Sequence, residues 1–181
     1  LYDNGTPALP APSFVLFVGD VAQCPTFQMS GDPSDRSYCS VDGDIFPEIY
    51  YGRMSATNTT QLQAILDKTL MYDRFTMPDP TYLSKAVLIA GVDATYGPIW
   101  ANGQINYASR TYFNVEHGIT PNIHLYPQSG NQDALIVSEV SDGRGFVNYT
   151  AHGSETSWSD PSFTQANINS LQNAGKYCLA I

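Results

Sequence analysis

Ala86-Val87-Leu88-Ile89-Ala90-Gly91-Val92-Asp93 is the stretch on which the fold turns. Five consecutive apolar residues stop at a glycine and are followed by a carboxylate. So short an uninterrupted apolar run reads as a strand covered on both faces, as in a parallel sheet. The pattern recurs on both sides. Ser13 to Val18 ends at Gly19-Asp20, Gly145 to Tyr149 ends at His152, and Lys176 to Ile181 closes the chain. Asn122 to Tyr126 reads as a shorter strand.

Helical periodicity fills the gaps. Thr60-Gln61-Leu62-Gln63 fits a capping box and opens a run with Leu62, Ile65, Leu66, Thr69 and Leu70 on one face. Ile105, Ala108, Tyr112 and Val115 share helical spacing, with Gly118 placed to close that helix. Asn131 to Ser141 and Thr164 to Asn173 are further helix candidates. Strand–helix alternation predicts an α/β sandwich with a mostly parallel sheet.

In such sheets ligands bind beyond the carboxyl ends of the strands. Two of the apolar runs end in Asp93 and His152, which can meet in space at that edge. Imidazole titrates near neutral pH and suits a proton shuttle, and a carboxylate can orient it. Gly153 lets backbone pass close to a substrate. Either residue alone is an ordinary loop residue. A nucleophile is missing from this set. Ser154 lies too near His152 in sequence, no G-x-S-x-G elbow occurs, and Cys178 falls inside an apolar strand where a thiol is inert.

The chain has 181 residues, enough for one buried core, and no apolar run approaches the ~20 residues of a membrane span. Leu1 opens directly into a polar segment without a signal peptide, as expected of a processed chain. A net charge of −9 with 8 Lys+Arg argues against nucleic acid and anionic membranes as partners. It fits a secreted protein, a cation binder, or plain solubility. The Tyr- and Asn-rich, Lys-poor balance is common among extracellular bacterial proteins. Cys24 and Cys39 flank a polar loop and are a candidate disulfide, leaving Cys178 over. Asp42, Asp44 and Glu48 crowd a turn-rich segment that is either a solvated acidic turn or an oxygen-rich calcium loop.

An ordered set of stretches carries a family resemblance. They are Val41-Asp42-Gly43-Asp44, Phe46-Pro47-Glu48, Arg53-Met54-Ser55-Ala56, Leu70-Met71-Tyr72, Leu88-Ile89-Ala90-Gly91, Glu116-His117-Gly118, and Asn148 through Thr156. Together they resemble the catalytic domain of the gingipains, secreted bacterial cysteine proteases of caspase-like three-layer fold, and in particular their lysine-specific branch. The resemblance runs from about residue 14 to the end. It implies a partial catalytic domain over 1–181 with a tail of about 1–12. It implies His152 as base, Asp93 as orienting carboxylate, and Gly153 as oxyanion donor. Thr150 and Tyr96 would line the substrate pocket, Tyr96 standing where the lysine-specific relatives carry Trp.

It also implies a structural calcium at Asp42, Asp44, the Phe46 carbonyl and Glu48, with no organic cofactor. In that family the strand matching Lys176–Ile181 runs into a Gly-Asn-Cys-Cys segment holding the nucleophile, about four residues past Ile181. The expected partners are therefore peptide or protein substrates and the remainder of the catalytic domain. Two other readings stay open at this point. One is a calcium-binding scaffold that has lost its nucleophile; the other is a serine hydrolase using Ser154.

Overall fold

The computed structural model describes residues 2–181. The chain packs as two compact units that meet in sequence at Arg74 and Phe75.

In the first unit a short 3-10 turn at Tyr2–Asn4 precedes β1 (Phe14–Val18). A hairpin follows, β2 (Phe27–Met29) antiparallel to β3 (Asp32–Ser34). Then β4 (Tyr50–Met54) pairs in parallel with β1. Arg53 anchors the ribbon. Its guanidinium forks onto Asp35 at 2.6 and 2.7 Å, donates to the Gly19 carbonyl, and lies 5.4 Å over the Phe17 ring. The Arg53 bond holds the Asp35 carboxyl below its ordinary range. β1 departs from the expectation of a strand covered on both faces. Phe14, Leu16 and Val18 face solvent while Val15 and Phe17 are half-buried, because a two-stranded ribbon has only one covered side.

Helix α1 (Thr59–Asp73) begins earlier than the capping-box reading. Asn58 is the cap, accepting from the Gln61 N–H, while the Gln61 side chain reaches back to the Thr57 N–H. Asn outranks Thr at this position, which moves the start. Leu62, Ile65 and Leu66 are half-buried as their spacing requires, but Thr69 and Leu70 are exposed. The three cysteines are unbonded, so Cys24 and Cys39 form no disulfide. Cys39 is fully buried, and that burial pushes its thiol up.

The second unit is an open α/β sheet. Its strands are β5 (Lys85–Ala90), β6 (Thr120–His124), β7 (Phe146–Thr150) and, after a small β8/β9 hairpin (Ser157–Trp158 with Phe163–Thr164), β10 (Leu179–Ala180). The order across the sheet is β10-β7-β5-β6 and every pair is parallel. The chain steps one way from β5 to β6 through α2 (Asn102–Thr111). It steps back past β5 to β7 through α3 (Asp133–Ser141). Right-handed crossovers in opposite directions put the two helices on opposite faces. The core shows this layering. Ala86, Leu88 and Ala90 pack against Ile105 of α2, and Val87 and Ile89 pack against Ile136 and Val140 of α3. All five apolar residues of β5 from Ala86 to Ala90 are fully buried, each larger one contributing about 1.5–3 kcal/mol.

The helix expected around Ile105–Val115 breaks after Thr111. Asn114 caps a separate 3-10 turn, Val115–His117, and it is this turn that Gly118 closes at φ 73°. Thr164 caps α4 (Gln165–Ser170) through a capping box with Asn167. β10 is shorter than the apolar run Lys176–Ile181 that announced it, pairing with β7 only at Leu179 and Ala180.

A buried polar network ties β6 to α3. His124 is 3% exposed, with Nδ1 2.7 Å from Gln132 Oε1 and Nε2 2.8 Å from Glu139 Oε2. Asn122 donates to the other Glu139 oxygen at 2.7 Å. Both ring nitrogens face acceptors, so only the imidazolium satisfies the network fully. Burial pulls the His124 pKa down, but the bonds from Glu139 and Gln132 outweigh it and the net shift is upward. A group raised on folding stabilises below its unfolded pKa, near 6.5, and that contribution is lost as pH rises through the folded value. Melting temperature should therefore fall as pH is raised from about 6.5, and a titration series reads it directly. Glu139→Ala, which strands a buried cation, should cost about 3–5 kcal/mol in a denaturant melt.

Candidate active site

The strand order reverses at β5, since β6 lies on one side of it and β7 on the other. Connections leaving β5 and β7 diverge there, and the carboxyl ends of strands at such a switch point are where open α/β sheets bind ligands. Asp93 follows β5 and His152 follows β7. Their side chains meet, His152 Nε2 2.8 Å from Asp93 Oδ2.

Close approach of the two strand ends depends on Gly91. A Cβ there would run into Ala151 Cβ, the Asp160 carbonyl at 2.6 Å and the Tyr149 ring at 2.9 Å. Backbone bonds lock the same junction: Gly91 N–H to Thr150 O at 3.1 Å, Val92 N–H to Asp160 O at 2.8 Å. The buried Ser129 hydroxyl donates to the Ala90 carbonyl at 2.7 Å.

The two partners sit in different surroundings. The Asp93 side chain is 17% exposed and that of His152 is 74% exposed. Asp93 Oδ1 accepts the N–H groups of Thr95 and Tyr96 at 2.8 and 2.9 Å. These backbone bonds, Tyr96 first, together with His152, hold the Asp93 carboxyl below the usual carboxylate range. It is therefore an anion at neutral pH, and the His152 nitrogen beside it carries the proton. In a neutral imidazole so bonded, Nδ1 is the ring nitrogen that keeps the lone pair.

Gly153 faces Trp158 across an isolated antiparallel bridge. The bonds flanking that pair are Ser154 N–H to Ser157 O and Ser159 N–H to His152 O. Gly153 is thus a non-hydrogen-bonded position whose N–H points away from the neighbouring strand. A Cβ on Gly153 would meet nothing nearer than Ser157 O at 3.4 Å, so packing alone does not demand glycine.

Thr150 ends β7 on the α2 face of the sheet, its hydroxyl 3.1 Å from Asn148 Oδ1. Tyr96 is exposed and leads into the π-turn Gly97–Ala101 that precedes α2. The Ser154 hydroxyl is occupied within its own turn by Ser157 and Thr156. Cys178 is half-buried rather than fully enclosed, and burial pushes its thiol up. It lies just before Leu179, which pairs with Phe146, and so sits at the opposite end of β7 from His152.

In the first unit, ligand oxygens of Asp42, Asp44 and Glu48 lie within 4.8 Å of one another. The turn is held by Phe46 N–H to Asp44, Asp44 N–H to Asp42, and Val41 N–H to Glu48. The Phe46 ring is exposed. Three converging carboxylates are the donor type that a hard cation such as calcium takes.

Sequence reasoning missed the scaffolding around the pair: Gly91, Tyr149, Trp158 and Asp160. The Asp93-Ala94-Thr95 spacing is one that a local carboxylate-to-backbone turn uses, and could have signalled how Asp93 is held.

The described site is thus a histidine–carboxylate pair in hydrogen-bond contact at the switch point of an open parallel α/β sheet. The whole chain, residues 1–181, matches peptidase family C25 and belongs to it. It is 44% identical over 187 residues to Lys-gingipain of Porphyromonas gingivalis, covering 99% of this chain and 10% of that protein. It is 29% identical over 168 residues to Gingipain R2 of the same organism, covering 91% of this chain and 22% of that one. A solved structure described as a protease superposes with TM-score 0.86 at 40% identity, over 99% of this chain and 39% of the other. The crystal structure of the Arg-specific cysteine proteinase gingipain R superposes with TM-score 0.77 at 24% identity, a likeness of fold. The chain thus spans about a tenth of the length of Lys-gingipain. No helix among the described residues is long and apolar enough to cross a membrane.

Proposed function

We propose that this chain supplies the general base, its orienting carboxylate and part of the substrate pocket of a secreted, lysine-directed cysteine endopeptidase. The observation that carries the reading is the 2.8 Å contact between His152 Nε2 and Asp93 Oδ2 at the β5/β7 switch point.

The thiol would come from a segment beyond Ile181. The family resemblance is what places it there, and the strand register gives the level it would occupy. Leu179 stands opposite Phe146 and Ala180 opposite Val147, so continuing β10 brings the fourth residue after Ile181 level with His152. Cys178 is about seven residues short of that level, roughly 20 Å at the rise of a strand.

In the proposed reaction His152 Nδ1 takes the thiol proton and the thiolate attacks the peptide carbonyl. The imidazolium protonates the leaving amine, and water, deprotonated by the same ring, releases the acyl group and the thiol. Asp93 stabilises the imidazolium. The Gly153 N–H would meet the oxyanion. Thr150 and Tyr96 would line the pocket, the Tyr96 ring facing a lysyl ammonium by cation–π contact. Similarity to Lys-gingipain is what favours lysine.

A calcium ion at Asp42, Asp44, the Phe46 carbonyl and Glu48 would be structural, neutralising three carboxylates in one turn. Chelation should lower the melting temperature of the full-length protein, the lost binding being worth about 2.7 kcal/mol for an ion present at a hundred times its Kd. An unchanged melt would count against the site.

Thiol chemistry is tested by treating the active full-length protein with iodoacetamide. Turnover should cease; a serine hydrolase using Ser154 would keep working, and a scaffold would show no turnover to lose.

A further inference from the structure

The His152–Gly153 peptide is trans, so its carbonyl and its N–H point in opposite directions. Whatever holds the His152 carbonyl therefore aims the Gly153 N–H. Two donors hold it. One is the Ser159 N–H at 2.9 Å. The other is the Tyr149 hydroxyl at 2.7 Å.

Tyr149 is itself fixed on three sides. Its ring stacks on Trp158, centroids 4.5 Å apart and planes 2° from parallel. One ring edge lies 2.9 Å from where a Gly91 Cβ would stand. Its oxygen accepts the Asp160 N–H at 3.3 Å. A phenol has one proton. The 2.7 Å bond to His152 claims it over the Asp160 carbonyl at 3.4 Å, which already accepts from Val92. The result is a directed chain from Asp160 N–H to Tyr149 O–H to His152 C=O. Bonds in series polarise one another, and a carbonyl that accepts two donors makes the N–H of its own peptide a stronger donor.

We infer that Tyr149 is a positioning residue for the oxyanion donor, acting through the His152 carbonyl to orient and polarise the Gly153 N–H. The inference rests on the thiol–histidine reading above. Burial pushes the Tyr149 phenol up, so its proton is retained at neutral and moderately alkaline pH.

Tyr149→Phe in the full-length protease keeps the ring and its stacking on Trp158 and removes only the hydroxyl. With a peptidyl-lysyl amide, kcat should fall about tenfold, less than the 10²–10³ lost when an oxyanion donor itself is removed. KM should hold within about twofold, because the donor matters at the tetrahedral stage. The rate of inactivation by iodoacetamide should be unchanged, since alkylation needs the thiol–imidazole pair and no oxyanion site. A merely structural tyrosine would lower both rates together. Trp158→Leu, which frees the ring, should lower kcat in the same selective way by a smaller factor, and it carries the test if Tyr149→Phe does not fold. Unchanged kcat, or kcat and alkylation falling in parallel, overturns the inference. Turnover that survives complete alkylation in the unmodified protein overturns the thiol reading and this inference together. Turnover abolished by alkylation with a silent Tyr149→Phe removes the tyrosine's role alone.

Discussion

His152→Ala in the full-length protein is expected to lower kcat/KM by at least about 10³-fold while leaving the melting temperature nearly unchanged. A positioned acid–base group contributes about 10²–10⁴, and groups acting as one unit with a nucleophile fall toward the larger value. The fold should tolerate the change because the His152 side chain is 74% exposed and its side-chain bond is to Asp93 alone. Asp93→Asn should cost less. The amide oxygen can still accept from Thr95 and Tyr96, but the charge that stabilises the imidazolium is gone. A steady-state assay of both variants beside a thermal melt separates catalysis from folding. Retention of a tenth or more of the activity by His152→Ala would remove it as the base.

Gly91→Ala is expected to damage stability and activity at once. The added methyl meets Ala151 Cβ, the Asp160 carbonyl and the Tyr149 ring, so the two strand ends must separate. Two of those obstacles belong to backbone or to a side chain without freedom to rotate away. Overpacking of this kind costs about 1–3 kcal/mol. The same displacement lengthens the contact between Asp93 and His152, because Gly91 and Ala151 lie two and one residues before them. A variant with lowered stability and a lowered kcat at temperatures where it stays folded fits this account. Native stability together with native kcat would show that the junction is not what sets the pair.

The strands and the pair were legible for definite physical reasons. Ala86–Ala90 is buried on both faces and therefore apolar throughout, which is visible in one sequence. Asp93 and His152 end two such runs, and parallel strands put such ends on one edge. The covering of Phe14–Val18 was not legible, because an apolar run does not reveal how many strands will flank it. Nor was the break after Thr111, where Asn114 competes successfully for the backbone N–H groups of Glu116 and His117. Tyr149 looked like one more apolar strand residue; only its position beside Trp158 and the His152 carbonyl gives its hydroxyl a task. His124, Gln132 and Glu139 are spread over 16 residues with no spacing signature, and helix α3 brings them together.

The measurement that bears most directly on the Asp93–His152 assignment is alkylation mapping of the active full-length protein. Stoichiometric iodoacetamide labelling should abolish turnover and place the label on a cysteine about four residues beyond Ile181, level with His152 in the β7 register. Full turnover after every accessible thiol is alkylated, or inactivation traced to Cys178, would contradict it.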